Sequence, residues 1–335
     1  VNAFDAAGNT SANSAAVTAT TLAGGGGSGT APCGLLPAST APYKHVLVFM
    51  EENLTFSDFS TASDAPEMHA LAANCRFLSN SAGETHPSFP NYEAITSGQF
   101  STCLGCPTTA DNIFHQIDGT AGLSWRDYNQ SMPSNCATNT SKVSYYRDGH
   151  NPAFWYSDLG SGSGGDGSCA KDDIPLDPSF WSDVAADNLP SFAWLAPDDC
   201  RDLHWMTGVC ENVVPGKTHD DRVAVGDAFL QQVVAAITAT PSYQAGQTLI
   251  VFTFDESNYL STQAKGNWGI DCSNHTVYLA NTQTCQVATI LISARIPAGA
   301  TTAFYSHYSL GAAIEQNFGL PLLGHEASVT PAPIY

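Results

Sequence analysis

Two short runs, Val46-Leu47-Val48-Phe49 and Leu249-Ile250-Val251-Phe252, are apolar at every position. Continuous rather than alternating hydrophobicity is what strands covered on both faces require, as in a parallel sheet. Strand-length segments of this kind fall at 45–50, 77–82, 122–126, 191–196, 248–254 and 287–293. Helical patterns lie between them, at 66–74, 88–97, 110–117, 220–239 and 306–317. In 220–239, Val225, Phe229, Val233 and Ile237 recur at four-residue spacing, with Asp220 or Asp221 as the expected cap. Strands alternating with helices predict an α/β sandwich. The Gly/Ser/Asp-rich stretch 158–173 and the Cys-containing stretch 264–285 read as surface insertions, and no internal repeat is present.

The first residues break this pattern. Residues 1–21 resemble the closing strands of a fibronectin type III module and are too short to fold alone. Residues 22–32 form a Gly-rich linker, and 33–335 is the main domain. A start at Val1 leads us to expect an upstream part, so that the chain belongs to a larger multidomain protein.

Charge narrows the partners. Against 11 Lys+Arg stand 31 Asp+Glu, a net charge of -20. Nucleic acid and anionic membrane surfaces are disfavoured as partners, and a phosphate-bearing substrate needs a bound cation to reverse the local field. No apolar run reaches bilayer-spanning length, and a monomer is expected. The ten cysteines allow up to five disulfides and point to an oxidising compartment, extracellular or periplasmic. Their pairing is open, and the lone Cys103-Leu104-Gly105-Cys106 reads as structural. Sequons at Asn9, Asn129, Asn139 and Asn274 fit exposed loops.

Candidate chemistry follows the strands. Glu52-Asn53 comes just after one apolar run and Asp255-Glu256 just after another, giving hard oxygen donors suited to a divalent metal. Strand ends of a parallel sheet open on one crevice. Ser88 precedes Phe89-Pro90, and Pro90 suits the first turn of a helix. A serine there is ordinarily an N-cap, yet the same place also suits phosphate binding. His204 lies in Asp198-Asp199-Cys200-Arg201-Asp202-Leu203-His204, His150 in Arg147-Asp148-Gly149-His150-Asn151-Pro152, and His307 opens a helix. Asn112 by default caps the helix that follows it.

Taken in order, Glu-Glu-Asn, THPSFPNY, DNIFHQI, DGHNP, DDCRDLH, GDAFLQQVV, FTFDES and SHYSLGAAIEQNFGLPLLG resemble the bacterial and fungal phosphoesterase family of acid phosphatases and non-haemolytic phospholipases C. The resemblance spans about 43–325 and is nearest to secreted acid phosphatases of the phosphatidylinositol-3-phosphatase type. It implies an alkaline-phosphatase-like three-layer sandwich with a mostly parallel central sheet, and a phosphoryl-enzyme mechanism.

Carried over residue by residue, it implies Ser88 as nucleophile, His204 and His307 as further catalytic groups, and Asn112, His150 and Asp202 as substrate-binding residues. The metal ligands would be Glu52, Asn53, Asp255 and Glu256. Asp-Glu stands where the superfamily has Asp-His, and Glu-Asn replaces a single Asp. That difference favours one divalent ion of unassigned identity, with two as the alternative. His150 or His307 is the expected proton donor to the leaving oxygen. The expected activity is that of a secreted phosphomonoesterase acting through phosphoserine on a phosphate ester. A phospholipase C-type diesterase, with Trp155, Trp181 and Trp194 as a candidate apolar lip, and an inactive extracellular binding module are the alternatives.

Overall fold

A computed structural model describes residues 31–99, 107–138, 145–160, 165–257 and 270–335. The fibronectin-like lead-in, most of the linker and the Cys103-to-Cys106 segment lie outside the described residues.

One sheet organises the body. Its strands are β1 (His45–Glu51), β2 (Arg76–Ala82), β3 (Trp125–Asn129), β4 (Asp173–Pro175), β5 (Phe192–Ala196), β6 (Thr248–Phe254), β7 (Gln286–Ile292), β8 (Gly299–Thr301) and β9 (Tyr305–Ser306). They lie in the order β4-β3-β5-β1-β6-β7-β2-β8, with β9 also paired to β2. The pairings are parallel except for those of β7, which runs antiparallel to both β6 and β2.

Both faces are covered, which explains the continuous apolar runs. Leu47, Phe49, Ile250 and Phe252 pack on helices Pro66–Asn74, Leu176–Ala185 and Arg222–Thr238. Val46, Val48, Leu249 and Val251 face the opposite core, with Phe89–Ser97, Ile113–Asp118 and His307–Phe318. The result is a three-layer α/β/α sandwich.

Expected and observed elements differ mainly at their ends. The strand expected at 122–126 starts at Trp125, because Gly122 turns the chain with φ +89° and buried Tyr128 and Asn129 prolong it. The helix expected from 110 begins after Asn112, whose side chain accepts the His115 N–H. Helix Arg222–Thr238 starts two residues late, since Asp221 turns back to accept the Thr218 N–H at 2.9 Å.

Four disulfides close loops among the described residues: Cys33–Cys75, Cys136–Cys169, Cys200–Cys210 and Cys272–Cys285. None of the described helices is long and apolar enough to cross a membrane.

Several carboxyls are buried far from water. Asp127 and Asp173 are register partners across β3 and β4, and the Asn129 amide donates to both, at 2.7 and 3.0 Å. Glu315 and Glu326 share the Leu323 N–H. Burial pushes Asp173 up to about 7. It lifts Glu84 to about 8, against the Tyr308 N–H that stabilises its anion. Burial and then the neighbouring Glu315 push Glu326 up to about 11. In this interval the native state holds protons that the unfolded chain has released. Their stabilisation is complete below the unfolded carboxyl values and is lost as pH climbs through the folded ones. The melting temperature of metal-free protein is therefore expected to fall, by on the order of 5 °C, between pH 5 and pH 8. Calorimetry across that range checks it; a rise over the same interval contradicts it.

Candidate active site

The chain leaves β1, β2, β5 and β6 at one end of the sheet, and each exit carries polar residues. Glu52-Asn53 follows β1, Ser88 follows β2, Asp202 and His204 follow β5, and Asp255-Glu256 follows β6. β1 and β6 are adjacent and in register up to Glu51 and Phe254, so the two acidic pairs emerge side by side. The Asn53 N–H donates to Asp255 Oδ1 at 3.0 Å, from a left-handed backbone at φ +47°.

Ser88 sits at the cap position of its helix but makes no side-chain cap hydrogen bond. Its hydroxyl faces two carboxylates instead, Glu52 Oε2 at 3.0 Å and Glu256 Oε1 at 3.3 Å. Pro90 has no N–H, and that of Asn91 goes to the Ser88 carbonyl, which narrows the expected helix-end contribution to the Phe89 amide.

The Ser88 turn is pinned by Asn91. Its Oδ1 accepts the N–H groups of Glu84 and Thr85 at 2.7 and 3.1 Å, while its Nδ2 donates to the carbonyls of Thr85 and Pro87. Tyr92, one helical turn beyond Ser88, donates its hydroxyl to Glu52 Oε1. Neither role was assigned from the sequence. The Ser-Phe-Pro-Asn-Tyr string holds the signal, in an asparagine three residues and a tyrosine four residues past a candidate nucleophile.

The carboxylates are buried: Glu52 and Asp255 are 0% exposed and Glu256 is 4% exposed. Burial, reinforced by Asp255 and Asp202, pushes the Glu52 carboxyl well above its ordinary value. Burial lifts Glu256 to about 7, with His86 pulling the other way.

Two histidines form a second group. His150 stacks between Tyr92 at 5.6 Å and His204 at 5.4 Å, ring centroid to centroid. Asp202 Oδ2 lies 3.3 Å from Nδ1 of each histidine, and its Oδ1 accepts the His204 N–H. Both oxygens lie against the histidine pair, so Asp202 orients the imidazoles. The two histidines hold its carboxyl ionised, well below the usual range, even though burial opposes this.

His204 is 39% exposed at the side chain, and its Nε2 is 3.1 Å from the Asn53 amide nitrogen. Burial disfavours its charge, but Asp202 outweighs that, and the imidazole is raised to about 9. Left-handed residues flank it, Leu203 at φ +78° and Trp205 at φ +64°. The loop packs so closely on Gly226 that a Cβ there would lie 2.5 Å from Leu203 Cδ1.

His307 behaves differently from its expected part. Its Nε2 is 3.0 Å from the Phe254 carbonyl and must donate, while burial depresses the imidazole to about 4. It is neutral at mildly acidic pH and does not meet the requirement for a proton donor. Asn112 also departs from expectation: its oxygen caps a helix and its amide nitrogen donates to both Asp158 oxygens, at 3.2 and 3.1 Å. Its side chain is spent on those partners, and no described hydrogen bond joins it to the Ser88 group.

The donor set fits a divalent cation. Buried carboxylates around one hydroxyl need either protons or a positive charge, and hard oxygen donors suit the latter. Asp255 Oδ2 is buried with no hydrogen-bond partner, and the Asn53 amide nitrogen is turned to Glu52 Oε2 at 2.8 Å. A second set, His150, Asp199, Asp202 and His204, offers ligand atoms within 4.8 Å of one another.

Known proteins carry related chains. The pattern of the Phosphoesterase family matches residues 58–321. A phosphatidylinositol-3-phosphatase of Mycobacterium tuberculosis is 23% identical over 303 residues, covering 89% of this chain and 84% of its own length. An acid phosphatase of Aspergillus fumigatus is 25% identical over 282 residues; the match takes in 80% of this chain but 54% of that protein. Among solved structures, a protein of the alkaline phosphatase superfamily from Vibrio parahaemolyticus superposes with a TM-score of 0.58 at 12% identity, covering 88% of this chain and 72% of that one.

Removing the Asn91 side chain should cost about 2–4 kcal/mol, at about 1 kcal/mol for each of its hydrogen bonds. Asn91→Ala is therefore expected to lower the urea midpoint and to abolish turnover together. A variant of unchanged midpoint and unchanged activity would show that the Ser88 turn is held by other means.

Proposed function

The chain belongs to the Phosphoesterase family and is an acid-phosphatase-like hydrolase, and from that premise we propose a metal-dependent phosphomonoesterase in which Ser88 is transiently phosphorylated. The observation that carries this reading is the Ser88 hydroxyl, turned away from helix capping and toward Glu52 and Glu256. Glu52, Asn53, Asp255 and Glu256 would hold the ion, which when bound lowers the hydroxyl pKa and offsets phosphate charge.

Ser88 Oγ bonds to phosphorus, its proton passing to the carboxylate it already faces, and the ester oxygen departs on the opposite side. His150, rigidly stacked and aimed by Asp202, contacts the phosphoryl oxygens. His204 is the donor to the departing oxygen, because it is protonated at mildly acidic pH and partly open to solvent. Its Nε2–H must then turn to substrate from the Asn53 amide nitrogen it faces, since two N–H groups cannot pair. Water then cleaves the phosphoserine, returning Ser88 and inorganic phosphate. His307 is a supporting residue in this scheme, fixed on the β6 exit.

The four described disulfides support an extracellular setting. Of the three tryptophans considered as an apolar lip, Trp155 packs on Phe89 at 5.5 Å, beside the nucleophile. Trp194 is buried against Tyr92, and Trp181 packs on Phe180 and Phe229 in the other core. One tryptophan beside the site is a small surface for acyl chains, which supports monoesters over the phospholipase alternative. The intact serine and both acidic pairs speak against an inactive binding module.

Ser88→Ala is expected to reduce hydrolysis of p-nitrophenyl phosphate below 1% of wild type, a bound taken as on the order of the loss of a nucleophile, with unchanged circular dichroism. Residual activity of several percent would remove Ser88 from the role. Chelation should abolish turnover and single-metal add-back restore it; full activity in chelated protein rules out the ion. His204→Gln should slow alkyl phosphates roughly 100-fold or more while affecting p-nitrophenyl phosphate much less. Equal losses on both substrates would argue against proton donation.

A further inference from the structure

His86 lies two residues before Ser88, is 3% exposed, and takes no part in the scheme above. We propose that His86 is a positioning residue for Glu256, and that it takes its own placement from the loop closed by Cys272–Cys285. The inference rests on the metal-dependent reading of Glu256.

The tautomer follows from the partners. His86 Nε2 is 2.9 Å from the Thr284 carbonyl, and a carbonyl only accepts, so Nε2 carries the hydrogen. That fixes the ring, with Nδ1 against Glu256 Oε2, a contact that takes a second hydrogen between the imidazole nitrogen and the carboxylate oxygen. The other oxygen of the same carboxylate, Oε1, faces the Ser88 hydroxyl. A glutamate carboxylate otherwise turns over a broad, roughly two-fold torsional profile. A rigid, buried partner on one oxygen decides what the second oxygen presents to the hydroxyl and to a cation.

The loop supplying that anchor is tied to both arms of the site. Cys285 accepts the Gly83 N–H at 3.0 Å, and the Cys272 N–H donates to the Glu84 carbonyl at 2.8 Å. Both contacts fall on the segment leading to Ser88. Ser257, directly after Glu256, donates its hydroxyl to the Gln283 carbonyl at 3.1 Å and to that of Thr284. Gly83 permits the approach: a Cβ there would sit 2.6 Å from the Asp255 carbonyl oxygen. The buried Cys272–Cys285 bond closes the loop behind these contacts. Serine turn and acidic pair are thus braced by one covalent unit, with His86 as the side chain that reaches the metal-binding carboxylate.

Two substitutions separate the anchors. His86→Gln keeps an amide near the Nε2 position and gives up the Glu256 contact; His86→Asn keeps a group near Nδ1 and gives up Thr284. Metal-stripped protein is titrated calorimetrically with Mg²⁺, Ca²⁺, Mn²⁺ and Zn²⁺, and the ion wild type binds most tightly is used throughout. Both variants are expected to weaken that binding about 10-fold or more, as loss of a ligand's hydrogen-bond partner does. They should also lower kcat more than they raise KM. If the His86 variants do not fold, the Cys272→Ser/Cys285→Ser double variant carries the test, with weakened metal binding at unchanged circular dichroism as the expected result. Metal binding within twofold of wild type in the folded variants overturns the inference alone. Wild-type protein that binds none of the four ions and hydrolyses no ester overturns the metal reading beneath it.

Discussion

Four carboxylates, Glu52, Asp202, Asp255 and Glu256, are gathered at one end of a sheet and withdrawn from water. Like charges at this density in a low-dielectric interior are stable only when hydrogen-bonded, protonated or matched by a cation. The rest of the architecture answers that demand. Tyr92 and Ser88 donate to Glu52, the Asn53 backbone donates to Asp255, and two imidazoles flank Asp202. The parallel arrangement of β1, β5 and β6 makes the gathering unavoidable, since each strand discharges its polar residues at the same edge.

Close packing of loops completes the enclosure, and it depends on unusual backbone. Asn53, Leu203 and Trp205 adopt left-handed conformations that are sterically unfavourable for residues with a Cβ. Gly83 and Gly226 leave room where neighbouring loops come nearest. The acids, the hydroxyl and the histidines are therefore presented on a framework whose local strain is balanced by the large two-sided core.

Much of this was legible in the sequence because the signals were local. Doubly apolar runs named the central strands, and the acidic pairs and Ser88 were read from their place just past those strands or at a helix start. What escaped depended on distance in the chain. Tyr92 meets Glu52 across 40 residues, and His86 meets Glu256 through a loop near Thr284. The antiparallel sense of β7 leaves no mark on composition, since a buried strand is apolar in either direction. The histidine roles moved for electrostatic reasons: burial silences His307, while Asp202 keeps His204 charged. Asn112 was drawn in by a motif and returned by geometry to the capping role its residue type favours.

The reversed course of β7 has a consequence for the rim of the crevice. Because it runs against both neighbours, its amino-terminal end lies where theirs finish, so an inbound peptide arrives beside outbound ones. That arriving peptide ends in Gln283, Thr284 and Cys285, whose carbonyls hold Ser257, His86 and Gly83, so a change there is felt on the peptides leaving both β6 and β2. The fold thereby makes its one inbound segment a buttress, joining by backbone carbonyls two outbound segments that the sheet itself keeps apart.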